Sequence, residues 1–352
     1  MNYLHVENLR NIRQVDLELG DAVNLFVGAN GAGKTSLLEA VHFLARARSF
    51  QNVRNERLRR HGQQRLLVRA TVARGKDVHR VVMYRDGKQS GARLDGVELR
   101  SLSEVARLFP LQVLTTECQR LLTDGPDARR SLMNWGVFHV EHGYRDEWRG
   151  YHRALRQRNA ALRSRDSRLA TAWEPEMAER ARRIDEGRQV YLERLLPLAR
   201  QRWAKWLDAQ DIEARYRRGW ATGTELLEVL RDSREREMDL GYSLYGPHRA
   251  DLRLYAAGIE ATGVLSRGQQ KLAVIALRLA ECELHAAASG HTPLLLVDDL
   301  AAELDSTYRA AVLEDMLAVK AQRFFTAIDA DSLPLPADLT RVFHVEQGAC
   351  RE

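Results

Sequence analysis

The first hundred residues alternate between apolar and polar positions with the two-residue period of strands. Tyr3-Leu4-His5-Val6 and Val15-Asp16-Leu17-Glu18-Leu19 each read as a strand with one buried face. Val23-Asn24-Leu25-Phe26-Val27 is apolar almost throughout, as expected of a strand covered on both faces. After a glycine-rich stretch the period lengthens: Leu37, Leu38, Val41 and Leu44 predict a helix over 34–47. Strand texture resumes at 66–72, 79–84 and 92–94, with turns at Asp86-Gly87 and Asp95-Gly96. From about 126 to 240 the alternation vanishes, and Arg, Glu, Ala and Leu predict several helices punctuated by Pro175 and Pro197. Strand texture returns near Tyr242. The expectation is an α/β head in two halves, 1–122 and 242–352, split by an inserted α-helical arm at 123–241.

The glycine-rich stretch supplies the first chemistry. Gly28-Ala29-Asn30-Gly31-Ala32-Gly33-Lys34-Thr35 fits GxxxxGK[ST] between a predicted strand and a predicted helix. Glycines let the backbone wrap closely around phosphates, and the loop amides and helix N-terminus face the anion. Lys34 is expected to neutralise the β- and γ-phosphates and the Thr35 hydroxyl to ligate Mg²⁺, so the expected cofactors are ATP and Mg²⁺. A chance glycine turn would lack this strand-to-helix context.

A second motif lies far downstream. Pro293-Leu294-Leu295-Leu296-Val297-Asp298-Asp299 reads as a buried strand that delivers two acids to its C-terminal edge, where open α/β sheets bind ligands. Asp298 is the expected Mg²⁺ carboxylate and Asp299 the general base that orients the attacking water. By itself such a pair is as well explained by a turn or a helix cap. Beside a triphosphate, two adjacent carboxylates repel one another unless a cation is shared.

Leu265-Ser266-Arg267-Gly268-Gln269-Gln270-Lys271 precedes a predicted helix and resembles the LSGGQ signature of ABC ATPases. Ser266 is a natural N-cap, and an ordinary capped helix is the plain alternative. The resemblance implies a P-loop ABC-type ATPase head in which Ser266, Gly268 and Gln269 cap the γ-phosphate held by a second subunit. It also implies that Ala301-Ala302-Glu303-Leu304-Asp305 is the loop crossing the dimer interface and that Thr326 is a γ-phosphate switch. Further stretches narrow the resemblance to the recombination-mediator branch of SMC-like ABC ATPases: Leu9-Arg10-Asn11-Ile12, Arg48-Ser49-Phe50, Gly125-Pro126 with Arg129-Arg130, and Gly246-Pro247-His248-Arg249-Ala250-Asp251-Leu252. That branch implies a weak, DNA-stimulated ATPase that dimerises with ATP on duplex, gapped or single-stranded DNA. It also implies RecO and RecR as partners, loading of RecA at gaps, and a role in SOS induction. The sequence departs from the branch at Ala302, where serine is usual, and at Leu114-Thr115-Thr116-Glu117, where Phe-Ser-Pro-Glu is usual. Gln112 and Gln119 both remain candidates for the glutamine that senses nucleotide.

Charge adds a weak pointer. The formal charge is +6 and the pI about 9.3, which fits a polyanionic partner. Arg145, Arg149, Arg153, Arg156 and Arg163 share a helical face that can track phosphates or simply be solvated. Arg54, Arg57, Arg59, Arg60 and Arg65 form a second candidate nearer the phosphate loop. His248 and Arg249 are further candidates, as positioning or DNA-contacting residues. Three well-separated cysteines, Cys118, Cys282 and Cys350, argue against a zinc site and for a reduced cytosol. No apolar run approaches the ~18 residues of a membrane helix, so a soluble protein is expected. Two other readings stay open, a transporter's ATPase subunit and a DNA-binding scaffold without useful hydrolysis.

Overall fold

The computed structural model describes residues 1–352 except 52–54, 88, 102, 142, 208–210, 301–303 and 305, and the side chains of 55, 56, 74, 103, 306 and 307. The chain opens with β1 (Tyr3–Leu9), β2 (Ile12–Glu18), β3 (Val23–Val27) and α1 (Lys34–Arg46). Next come β4 (Arg65–Arg74), β5 (Asp77–Asp86), β6 (Gln89–Leu94), β7 (Val97–Glu98), α2 (Ser103–Leu108) and β8 (Leu111–Leu114). Helices α3 (Arg120–Thr123), α4 (Pro126–Val140), α5 (Tyr144–Arg163) and α6 (Ser167–Trp206) follow, then β9 (Ile212–Arg217), α7 (Leu226–Asp232) and α8 (Arg234–Leu240). After these run β10 (Asp251–Ala256), β11 (Ile259–Glu260), α9 (Ala261–Val264) and α10 (Arg267–Ser289). The last elements are β12 (Leu294–Val297), α11 (Ser306–Ala318), β13 (Gln322–Ala327), β14 (Thr340–Glu346) and β15 (Ala349–Arg351).

These elements form two compact units, Met1–Glu117 with Gly290–Glu352, and Cys118–Ser289. In the first unit an antiparallel sheet, β2-β1-β4-β5-β6-β7, and a mainly parallel sheet, β15-β14-β3-β13-β12-β8, share one apolar core with α1. All residues of β3, β12 and β13 are buried, which is why β12 reads as an unbroken apolar run and β3 nearly so, while Gln322, Arg323 and Thr326 of β13 are buried with their polar groups hydrogen-bonded, to Gly20 O, Met316 O and Asp298 among others. Phe26 anchors the layer, with Phe343 and Phe324 at ring-centroid distances of 5.4 and 6.5 Å. The parallel register sets Val27 beside Ala327 and Val297 beside Phe325. The C-terminal ends of β3, β13 and β12 therefore open at one sheet edge, with the glycine loop, Thr326 and the two acids together.

The second unit is mainly helical. Two expectations are corrected there. The prolines do not divide the arm: α6 runs unbroken for 40 residues through Pro175 and Pro197. A proline inside a helix costs ~3 kcal/mol through a lost hydrogen bond and a ring clash. Here both prolines are exposed, as are Thr171 and Glu193, the residues whose carbonyls lose a partner. The opposite face of α6 packs on α4, α5 and α10, and that burial outweighs the local penalty. The arm is also not purely helical. β9 pairs with β10 in a three-stranded sheet, and its sequence, Ile212-Glu213-Ala214-Arg215-Tyr216-Arg217, carries the alternation that the surrounding charged composition hides. Compactness also divides the chain elsewhere than at 123–241. Residues 242–289, with the signature helix α10, belong to the same unit as the arm. No helix among the described residues is long and apolar enough to cross a membrane.

Candidate nucleotide-binding site

The loop between β3 and α1 is shaped by contacts that exclude side chains. At Gly28 a Cβ would sit 2.2 Å from the Val345 carbonyl oxygen, and at Gly33, with φ +120°, it would meet the Asn11 amide at 3.0 Å. Asn11, in the β1–β2 turn, braces the loop. Its amide donates to Gly31 O (3.2 Å) and Ala32 O (3.1 Å), and it accepts from Ser36 Oγ at 2.9 Å. Its neighbour Arg10 donates to the buried Glu39 Oε2 of α1 at 2.7 Å, and Ser49 Oγ donates to the other oxygen of Glu39. Glu39 thus ties the Leu9-Arg10-Asn11 stretch to Arg48-Ser49-Phe50. Neither Asn11 nor Glu39 stood out as a site residue from sequence, since an asparagine in a turn and a glutamate in a helix are ordinary there.

Lys34 opens α1 and folds back over the loop, donating to Gly28 O (2.6 Å) and Ala29 O (3.0 Å). Burial pushes its ammonium below the usual lysine range, against the opposing pull of Asp299 and Asp298. Thr35 Oγ1 donates to Asp298 Oδ1 at 3.0 Å, and Thr326 Oγ1 donates to the same oxygen at 2.8 Å. Asp299 N–H donates to Thr326 Oγ1 at 2.9 Å, while Asp299 itself stands at φ +55°. Thr326 therefore pins both acids, a positioning role beside the expected switch role. Burial pushes the Asp298 carboxyl above the usual carboxylate range, while the bonds from Thr326 and Thr35 hold it down; Asp299 adds to the rise and Lys34 opposes it. Two carboxylates, two hydroxyls and an ammonium thus converge from α1, the end of β12 and β13, and the Asp298 amide is anchored on Leu114 O at 2.8 Å.

The signature residues lie in the other compact unit. Ser266 Oγ accepts from Gln269 N–H at 3.3 Å, and Gln269 Oε1 accepts from Ser266 N–H at 2.9 Å. This is a reciprocal capping box at the start of α10. Gln270 reaches back to Leu265 O at 2.9 Å, and Ser266, Arg267 and Gly268 are exposed. In this unit the family-like stretches also meet. Arg129 grips Asp251 through both oxygens (2.7 and 3.2 Å), and Arg130 donates to Ala250 O at 2.8 Å. His248 sits between Tyr151 OH (2.6 Å) and Ser243 O (3.1 Å), and burial lowers its pKa to about 4. It is a neutral strut of the arm.

The arginine candidates divide. Arg149, Arg153, Arg156 and Arg163 are exposed on α5, and Arg153 is paired with Glu176 at 3.0 Å. Arg145 lies 3.6 Å from Asp146. In the other group Arg57 and Arg65 are exposed, Arg60 is half-buried, and Arg59 donates to Gln64 O (2.9 Å) and Gly87 O (3.3 Å), which makes it a loop clasp. Arg54, and the interface-loop residues Ala301, Ala302, Glu303 and Asp305, lie outside the described residues. Of the two candidates for the nucleotide-sensing glutamine, Gln112 is buried within β8 and Gln119 directly precedes α3.

A phosphate-type loop at the edge of a parallel sheet, a strand-end acid pair and a separately carried capped helix define an ATPase head of the ABC class. The family described as RecF/RecN/SMC N terminal domain matches residues 1–351, and the chain belongs to that family. Within the family it resembles proteins named RecF. It is 38% identical over 355 residues to the DNA replication and repair protein RecF of Thioalkalivibrio sulfidiphilus (strain HL-EbGR7), covering 100% of this chain and 99% of the relative. To the RecF of Shewanella baltica (strain OS223) it is 37% identical, with 98% and 97% covered. A solved structure of the recombination mediator protein RecF with ATP superposes with a TM-score of 0.88 at 23% identity, covering 99% of this chain and 96% of that one. An SMC head bound to the C-terminal winged-helix domain of ScpA gives 0.62 at 14% identity, with 99% and 96% covered.

Proposed function

We propose that this chain is an ATP-dependent, DNA-binding recombination mediator of DNA repair and replication, whose weak, DNA-stimulated ATPase governs a homodimer on duplex or gapped DNA. The observation that carries the reading is the meeting of Thr35, Asp298 and Thr326 beside the glycine loop. In this reading the amides of residues 28–35 and Lys34 bind the triphosphate, Thr35 and Asp298 hold Mg²⁺, and Asp299 orients the attacking water. The donor set is oxygen only, which fits a hard cation, and the raised Asp298 pKa is relieved when a cation shares the site. The ion supplies charge neutralisation on the phosphates. Ser266, Gly268 and Gln269 cap the γ-phosphate of a second copy, their box presenting an exposed helix N-terminus to an anion. The exposed arginines of α5 and of 57–65 supply backbone contacts to DNA. RecO and RecR are the expected partners, since the matched RecF structures are described as belonging to the RecFOR pathway.

Sedimentation velocity with and without ATP and gapped DNA tests this. Wild type should dimerise only with ATP, and Lys34→Met and Ser266→Arg should both stay monomeric. An oligomeric state and DNA affinity indifferent to apo, ATP and ADP conditions would leave a passive scaffold instead.

A further inference from the structure

Within the helical unit lies a half-open cavity of about 560 Å³, walled by the loop after β9 and by residues 244–253. Its walls are fixed against each other: Gly246 N–H donates to Gly219 O at 3.2 Å, and a Cβ on Gly219 would lie 2.2 Å from Gly246 O. Four arginines line it, Arg217, Arg218, Arg249 and Arg253, with Asp251 the one acid in the lining. That acid is already spent on Arg129 and on Arg253, and Arg253 also pairs with Glu260 at 3.2 Å. Among the described residues neither Arg217 nor Arg249 has a carboxylate partner, and the Arg249 guanidinium lies over the Tyr242 ring, 5.4 Å from its centroid. Arg218 is held by stacking 3.9 Å over Trp220, by a 3.0 Å bond to Thr224 O and by an ion pair with the buried Asp185 at 3.7 Å. Trp220 is buried, and its indole N–H lacks a partner among the described residues.

Arg217 and Arg249 thus bring two charges to the hollow that no acid of its lining balances; they repel one another, and an anion reverses the sign of that term. Guanidinium forks match tetrahedral oxyanions in two-bond fashion, the volume falls within the ordinary range for small-ligand sites, and Trp220 and Tyr245 give aromatic surface beside the charge. We infer that this cavity is a second phosphate site, separate from the glycine loop, that takes a nucleotide phosphate carried by a nucleic-acid strand or by a free nucleotide. It rests on the DNA-binding reading only for the strand as source.

The test uses the full chain in the Lys34→Met background, which silences the first site, with and without Arg217→Gln/Arg249→Gln, and circular dichroism confirms folding. Tryptophan fluorescence is titrated with dAMP, with a 5′-phosphorylated oligothymidylate and with polyglutamate, and Trp220→Phe identifies the reporter. The double variant should bind its phosphate ligand about tenfold more weakly, and for the strand the slope of log affinity against log salt should shrink by about one. A response to the strand alone makes the source nucleic acid. A response to dAMP alone keeps the cavity and removes the DNA reading of it. A folded double variant that binds both phosphate probes like its parent overturns the site while leaving DNA binding elsewhere intact. No response to either phosphate probe, or a response to polyglutamate alone, overturns it as well.

Discussion

Arg158 and Arg129 carry charge into places that water does not reach. Arg158, with no exposed side-chain surface, donates to Glu237 (2.5 Å), Glu174 (3.1 Å), Ser243 (2.7 Å) and Leu230 O (3.2 Å), joining α5, α6 and α8. Removing one member of such a pair strands the other, at a cost of about 3–5 kcal/mol. Arg158→Ala should therefore lose stability of that order in urea unfolding, whereas the exposed Arg156→Ala should change it by less than ~0.5 kcal/mol. Two buried histidines weaken the fold toward acid. Burial lowers both His42 and His248 to about 4 from an ordinary 6.5. The unfolded chain therefore takes up protons below pH 6.5 that the folded chain refuses until about pH 4. Stability is full above 6.5 and falls as pH drops through that window, on the order of 3 kcal/mol for each histidine. Melting curves between pH 7.5 and 4.5 should show the loss, and His248→Gln should flatten part of it.

At the scale of elements, the start of α10 serves stability and the proposed function with the same atoms. Ser266→Ala removes one arm of the capping box and should cost about 1 kcal/mol. Ser266→Asp keeps a capping oxygen and adds negative charge where a phosphate is to be bound. The aspartate variant should melt at or above the wild-type temperature yet fail to dimerise with ATP, whereas a merely structural serine would leave dimerisation untouched in both. The prolines of α6 give a different expectation. Each lies on the exposed face of a helix whose other face is packed, so Pro175→Ala restores a helical hydrogen bond without disturbing a contact. The gain should be about 1–2 kcal/mol after the greater freedom of the unfolded chain is set against it, visible as a higher melting temperature.

At the scale of the whole molecule, the acid pair separates binding from turnover. Asp298 is bonded to Thr35, whereas Asp299 is attached to the site through its backbone and Thr326. Asp299→Asn should keep ATP binding and the ATP-dependent dimer while lowering turnover by at least about a hundredfold. Asp298→Asn should weaken both, because the metal carboxylate is lost. Rapid-quench hydrolysis together with light scattering separates the two. Equal loss of dimer in both variants would contradict the assignment of Asp299 as the base.

Motifs that work through backbone geometry at short range were legible in the chain itself. The glycine loop, the strands flanking it, the strand-end acids and the capped signature helix all follow from spacing and local chemistry. Across long separations, the meeting of Thr35 with Asp298 was expected through a shared metal ion and that of Thr326 through the family resemblance, while their direct hydrogen bonds follow from the parallel strand register that places three ends at one edge. The pairing of Arg129 with Asp251 was not legible, because it needs β10 to return beside α4. The prolines misled because local propensity is weaker than the burial of a long face, and β9 was hidden because two-residue alternation in a charged stretch counts as a strand only when a neighbour is there to pair with it. The cationic cavity is the extreme case. Its arginines are ordinary by sequence, and only the closure of two loops at Gly219 and Gly246 turns them into a site, since the energy of gathered charges depends on distances that sequence order does not contain.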